Sequence, residues 1–267
     1  MRSLRPAALL AAVVGLACAS PPVEWGEAVV LDALPAIGAS RLGEGDAPRF
    51  ADAATAPTQP RTACAESVRI ASGAGDERYA VWWALREDSS AALLGARSGD
   101  GGETWDDPVP VDTLDRSHRG CARPAPSIAV DSATGYVHVA YWLEAPEGAG
   151  IFFSHSMEPD PLFFHAPVVI VYGDRPAQTA IAAERSIVAV AYQDPNARVA
   201  RIAMHVSRSD GHIFEHRIPP LTPSAESAFA PRVAIHGRRV ALAWRGELRR
   251  SGAVERSAAY LRTGRLR

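Results

Sequence analysis

Short apolar runs separated by turn residues recur along most of the chain, and they do so at a nearly constant interval. Four segments, Arg78–Arg86, Tyr136–Glu144, Ser186–Asp194 and Arg239–Glu247, share one pattern of aliphatic and small residues around an aromatic. The aromatics Trp83, Tyr141, Tyr192 and Trp244 lie 58, 51 and 52 residues apart. Each segment follows another apolar run: Ser67–Ala71, Pro126–Asp131, Thr179–Ala183 and Pro231–His236. Turn-forming residues part the two runs, as in Asp131–Gly135 and His236–Gly237. Short length, β-branched and aromatic enrichment and this punctuation predict strands, and no segment keeps a helical period. A third strand follows, as in Ala91–Arg97, Gly150–His155 and Ala258–Arg262. An aromatic at one register of every repeat predicts core packing rather than a sugar-stacking platform at Trp82–Trp83 or Tyr141–Trp142.

After the third strand of the first repeat the chain reads Ser98-x-Asp100-x-Gly102-x-Thr104-Trp105. In such a hairpin Asp and Ser or Thr bond the turn backbone, Gly admits unusual φ/ψ, and Trp packs between sheets. Weaker versions begin at Ser156 (Ser156-x-Glu158-x-Asp160-x-Leu162-Phe163) and at Ser207 (Ser207-x-Ser209-x-Gly211-x-Ile213-Phe214), in step with the strand repeat. The complete turn resembles the Asp-box of sialidase-like (BNR-repeat) β-propellers. The resemblance covers about residues 24–267 and implies an all-β fold of four-stranded blades. It also implies that Ser98, Asp100, Gly102, Thr104 and Trp105 build a peripheral structural turn. A lone acidic turn lacks the ligand set of a Ca²⁺ loop, so neither metal nor cofactor is expected.

Four blades fit the repeat, at 63–115, 122–173, 176–222 and 229–267. The fourth strand after the first box, Trp105–Asp112, is echoed near the N-terminus by Trp25–Asp32, whereas the last repeat stops after its third strand. Residues 24–32 are therefore expected to supply the outer strand of the last blade, a closure that removes exposed strand edges. Residues 33–62, rich in Ala, Pro and Gly, form a long connector. The six blades of a true sialidase do not fit this length. A closed monomeric ring is the favoured reading, and an incomplete ring completed in a dimer is the alternative.

The first residues give an address. Met1–Arg5 carries two Arg, and Pro6–Ala17 is an uncharged, mostly aliphatic stretch too short to span a bilayer. Val14–Cys18 resembles the lipobox of bacterial lipoproteins, with Gly15 where Leu is usual. That implies a lipoprotein-type signal peptide at 1–17, a lipid on Cys18 and a short tether at 18–23. Ordinary cleavage nearby, with Cys18 incidental, is the alternative. Lipidation would make the membrane a partner and place the protein in the outer membrane or periplasm of a Gram-negative cell, otherwise at the cell surface or secreted. Export means oxidising conditions, so Cys64 and Cys121 are expected to form a disulfide rather than two separate thiols.

Composition adds a core and excludes one partner class. The chain has 267 residues, 47% of them hydrophobic, enough for a sizeable core. Its net charge of −2 excludes a globally basic nucleic-acid binder. All 28 basic residues are Arg, and ten of them lie in residues 232–267 against only Glu247 and Glu255. A basic last blade on an acidic body suits an anionic envelope glycan, lipid or envelope protein. The acidic strap, with Glu24, Glu27 and Asp32, could equally match it from within.

Catalytic chemistry does not transfer from the resemblance. Sialidases grip a carboxylate with three Arg and use a Tyr–Glu pair and an Asp acid. Here Arg217–Pro219 has the family's Arg-Ile-Pro letters, but it follows the third box, and only Arg69–Ala71 precedes the first. Candidates near strand starts, where a propeller's central opening lies, are Arg119, Arg123, Arg175, Arg232, Glu66 and Glu226; solvated loop charges are the alternative. Gly-x-Ser-x-Gly, Gly-rich phosphate-loop, Cys-x-x-Cys and His-Glu-x-x-His motifs are all missing. His155, His205, His212 and His216 are expected to be packed or surface residues. The sequence points to a binding or scaffold module at the cell envelope, with a divergent exo-glycosidase acting at the central opening as the alternative.

Overall fold

The computed structural model describes residues 23–27, 29–30, 62–218, 222, 226–251 and 253–266. The leader, Cys18 and nearly all of the connector 33–62 lie outside the described residues. Two short strands lead, β1 (Val23–Trp25) and β2 (Val29–Val30). The first sheet holds β3 (Thr62–Ala63), β4 (Arg69–Ser72), β5 (Arg78–Leu85), β6 (Ala91–Ser98) and β7 (Val109–Asp112), with a 3-10 turn at Ala65–Ser67. The second is β8 (Ser127–Val130), β9 (Val137–Ala145), β10 (Gly148–Ser156) and β11 (Val168–Tyr172). The third is β12 (Thr179–Glu184), β13 (Ile187–Gln193), β14 (Ile202–Ser207) and β15 (Phe214–Ile218). The last is β16 (Ser227–His236), β17 (Arg239–Arg250) and β18 (Ala253–Leu266).

Each sheet is an antiparallel meander, as short turns between consecutive strands require. The innermost strands are β4, β8, β12 and β16, and the sheets are the four blades of an all-β propeller. β1 pairs with β18, Val23 opposite Leu266 and Trp25 opposite Gly264, and β2 pairs with β18 at Tyr260 and Leu261. The N-terminal strands thus form the outer edge of the last blade.

Burial explains the composition of the strands. β5 and β13 are buried on both faces, so they read as unbroken runs of Ala, Val and aromatics. Three shared clusters hold neighbouring blades together. The first joins Tyr79, Val81, Trp83 and Leu93 to Val139, Tyr141 and Phe152. The second joins Trp142, Ile151 and Phe153 to Val188, Val190 and Tyr192. The third joins Ile202 and Met204 to Leu242, Trp244 and Tyr260. The repeat aromatics are core residues: Trp83 and Tyr141 meet edge to face at 6.0 Å, and Trp244 stacks on Tyr260 at 5.4 Å. Between the last blade and the first no such shared cluster forms among the described residues. The first blade's outer-facing cluster, Ala80, Trp82, Ala84 and Ala96, packs against Val68, Leu94 and Trp105 of the same blade. In the last blade Val240, Leu242 and Trp244 of β17 are buried toward the third blade, while Arg239 and Arg245 on the opposite face are exposed.

Cys64 and Cys121 form a disulfide with a Cα–Cα distance of 5.5 Å. It ties the start of the first blade to the segment that leads into the second.

The turn at Ser98–Trp105 is held by its own side chains. Ser98 Oγ donates to Asp100 Oδ1 at 2.7 Å and accepts the Gly102 N–H at 2.9 Å. Asp100 accepts the Thr104 N–H at 2.9 Å and the Thr104 hydroxyl at 2.5 Å. These bonds, those from Thr104 first, hold the Asp100 carboxyl well below the usual carboxylate range. Gly101 and Gly102 take φ of 81° and 104°, where a side chain would be strained. At the third repeat Ser207 Oγ accepts the Gly211 N–H at 3.1 Å and Ser209 Oγ accepts the Ile213 N–H at 3.1 Å. Ser209 there does the work of Asp100. Ser98→Ala removes a buried hydroxyl that serves two turn groups, and is expected to cost about 1–2 kcal/mol. Urea denaturation measures this; an unchanged midpoint would show that the turn stands without Ser98.

Candidate functional site

The starts of the four innermost strands surround a central cavity of about 310 Å³. One register recurs in each: Arg69-Ile70-Ala71, Ser127-Ile128-Ala129, Ala180-Ile181-Ala182 and Arg232-Val233-Ala234. The first two residues of every triplet line the cavity. Its polar walls are largely self-satisfied. Ser127 Oγ and Thr179 Oγ1 both donate to Ala140 O, at 3.1 and 3.0 Å, and lie 2.9 Å from each other. Gln178 Oε1 accepts the Ala230 N–H at 2.8 Å.

The two arginines are different. Arg69 Nη1 donates only to the carbonyls of Glu66 and Val68, at 3.0 and 2.7 Å, and Arg232 Nη1 to that of Pro231 at 2.8 Å. No acidic residue is among the described residues lining the cavity. Burial first, and then repulsion from Arg232, lower the pKa of the Arg69 guanidinium. Guanidinium stays charged in proteins, so two cations share this opening with no carboxylate counter-charge among the described residues. Such an arrangement suits an anionic group that can accept forked hydrogen bonds.

Of the six residues proposed from sequence, only Arg232 lines this cavity. Arg123 is buried in an ion pair with Asp115 at 2.6 Å and lies over the Trp83 ring at 5.5 Å. Arg119 pairs with Glu144 at 2.6 Å over the Trp142 ring. Arg175 donates to the carbonyls of Ala197 and Arg198 at 2.7 and 2.9 Å. Glu226 is buried and paired with Arg256. Glu66 is exposed on the 3-10 turn and reaches the site only through its carbonyl, which holds Arg69. Charged residues at strand starts are thus mostly spent on ion pairs and carbonyl contacts that fix the loops and connections of the blades. Arg69 is a site residue that the sequence candidates omit, although aligning the repeats places it at the register of Arg232.

A second cluster lies away from the axis, between the second and third blades. The His155 ring sits 6.1, 5.0 and 4.8 Å from those of His138, His165 and His212. Both nitrogens of His138 and Nδ1 of His155 are buried without a partner. Burial, and then the neighbouring histidines, push His138 down to about 3 and His155 to about 4. Among the described residues no group of three or more His, Cys, Asp or Glu is arranged to hold a metal ion.

No protein-family profile matches the chain, and no curated protein does either. Solved structures do resemble it. A protein of unknown function from Dyadobacter fermentans DSM 18053 superposes with a TM-score of 0.50 at 15% identity, over 72% of this chain and 50% of that one. For the Hadza microbial sialidase Hz136 the figures are 0.47, 14%, 70% and 42%. For the GH43 endo-arabinanase from Bacillus licheniformis they are 0.43, 12%, 73% and 71%. The chain spans half or less of the length of the first two. At such identities the likeness is one of fold alone.

Proposed function

We propose that this protein is an exported, lipid-anchored, sialidase-like propeller of the Asp-box type, serving as a monomeric binding module at the cell envelope. Its central opening takes an anionic group, such as the carboxylate of a sugar acid in an envelope glycan. The observation that carries this reading is the pair Arg69 and Arg232, which face one cavity with, among the described residues, backbone carbonyls as their hydrogen-bond acceptors. The Ser98–Trp105 turn and its Ser207 counterpart support the Asp-box assignment. Glycoside hydrolysis is less well supported, because it calls for an acid at the bond that breaks, whether a second carboxylate or a Tyr–Glu pair attacks, and no acid or Tyr is among the described residues lining the cavity. Glu66 and Glu226, the acids nominated for that role, do not line the cavity.

Calorimetric titration with N-acetylneuraminic acid and glucuronic acid, against glucose as a neutral control, tests the proposal. The acids are expected to bind and glucose not. Arg69→Ala and Arg232→Ala should each weaken binding about 10-fold or more, the value of a charge-assisted hydrogen bond. Equal affinity for glucose, or unchanged affinity in both variants, would overturn it. Hydrolysis of a sialoside that disappears in Arg69→Ala would favour the glycosidase instead.

A further inference from the structure

The arginines of the last blade divide into two groups. At one end of the sheet, carboxylates neutralise them. Arg245 and Arg249 each lie 3.0 Å from Glu247, Arg250 lies 3.6 Å from Glu255, and Arg256 pairs with Glu226. At the other end, Arg238, Arg239 and Arg265 have no carboxylate partner among the described residues. Arg238 Nε donates to Leu266 O at 3.0 Å, and Arg239 and Arg265 are direct cross-strand partners. Like charges placed opposite each other destabilise a sheet unless something of opposite sign sits between them.

Arg239 and Arg265, exposed together with His236, line a groove of about 650 Å³ that also takes in Ala234, Ala241 and Gly264, and Arg238, likewise exposed, precedes Arg239 in the turn. The groove lies on the face of the blade turned away from the third blade. Glu24, itself a lining residue of the groove, stands opposite Arg265 in register, and Glu184 lies 4.0 Å from His236. A second copy of the chain is a poor occupant, because the groove would bring arginines against arginines in a two-fold contact.

The position of this patch names a better occupant. Val23 pairs with Leu266, so the chain joins the blade beside Arg238 and Arg265. Cys18 is only five residues upstream, a span of at most about 17 Å. A lipid on Cys18 therefore holds this end of the blade within about two Debye lengths of the bilayer. We propose that Arg238, Arg239 and Arg265 form a docking surface for anionic phospholipid headgroups. The contact orients the propeller on its membrane. It rests on the lipid-anchored reading for its placement. The central opening lies at the starts of the innermost strands, whereas the patch follows the end of β16, so docking leaves the opening directed away from the bilayer.

The full chain carrying Cys18→Ser, which takes no lipid, isolates the arginines from the anchor. It is expected to sediment with phosphatidylcholine vesicles containing phosphatidylglycerol, to release as salt is raised, and to ignore pure phosphatidylcholine vesicles. Adding Arg238→Gln, Arg239→Gln and Arg265→Gln should weaken binding roughly 100-fold, at about fivefold per cation near an anionic surface. The melting temperature should stay level or rise, because the Arg239–Arg265 repulsion is removed; if it falls, the single Arg265→Gln variant, expected about fivefold weaker, carries the test. Binding that is unchanged by the substitutions, equal on neutral vesicles, or seen only with a soluble polyanion such as heparin would overturn the proposal. So would self-association that the triple variant abolishes. Incorporation of labelled fatty acid into the wild type but not Cys18→Ser reports on the anchor separately, so either idea can fail alone.

Discussion

Asp115→Ala is expected to destabilise the protein by about 3–5 kcal/mol, the cost of breaking a buried ion pair from one side. Asp115 Oδ2 accepts from Arg123 Nη1 at 2.6 Å and from the Ala91 N–H at 2.9 Å, and its Oδ1 accepts from Ser117 Oγ at 3.0 Å. The two charged side chains are 1% and 2% exposed, so truncation would strand a guanidinium with no water to replace its partner. Arg123 keeps the Trp83 ring and the Gly120 carbonyl, neither of which carries a full counter-charge. Urea denaturation monitored by tryptophan fluorescence measures the loss directly. The double variant Asp115→Leu/Arg123→Met should recover most of it, because no charge is then left buried. A single variant that loses less than about 1 kcal/mol would show that the pair does not hold the first and second blades together.

Acid should unfold this protein earlier than its carboxylates alone require, through His138. In the folded state burial holds His138 at about 3, against an ordinary value of 6.5. The folded pKa is the lower one, so the unfolded chain binds the extra proton. Stability is therefore intact above pH about 6.5 and falls as the pH drops toward 3. The loss from this one group is about 2 kcal/mol by pH 5 and on the order of 4 kcal/mol near pH 3. His155, lowered for the same reason to about 4, steepens the same limb, while Asp131 opposes the effect on His138. His138→Phe keeps an aromatic ring beside Phe153, which the histidine stacks on at 5.9 Å. It should flatten the stability profile between pH 6.5 and 4 by one proton's worth of slope, with little change at pH 8. Denaturant midpoints taken across this range decide the matter; an unaltered slope would mean that His138 does not titrate on unfolding.

Much of the architecture was legible before any coordinates. The strand runs, the turn chemistry at Ser98 and the echo of Trp105–Asp112 in Trp25–Asp32 are local features, and local hydrogen bonding and burial carry them. The last blade held a further readable sign. Arg239, Ala241, Ala243 and Arg245 alternate with Val240, Leu242 and Trp244, the mark of a sheet covered on one face only, whereas Ala80–Ala84 is apolar without a break. The site was harder to read. Arg119, Arg123 and Arg232 look alike in sequence, since each stands near a strand start beside small residues and proline. They part company through their partners: Asp115 is 8 positions from Arg123 and Glu144 is 25 from Arg119, while Arg69 meets Arg232 only across the axis.

The repeat, the number of blades and the pairing of the first and last strands in one sheet follow from the order of residues alone, because periodic burial and turn-forming side chains act over a few residues. Which charges are spent and which are left over depends on the folded arrangement. An ion pair forms or fails within about 4 Å, and the folded backbone sets that distance: Asp115 meets Arg123 in the connection between the first two blades, Glu226 meets Arg256 inside the last blade, and Glu247 meets Arg245 along one strand. That geometry neutralises Arg123, Arg245 and Arg256, and leaves Arg69 and Arg232 facing the axis and Arg239 and Arg265 facing outward.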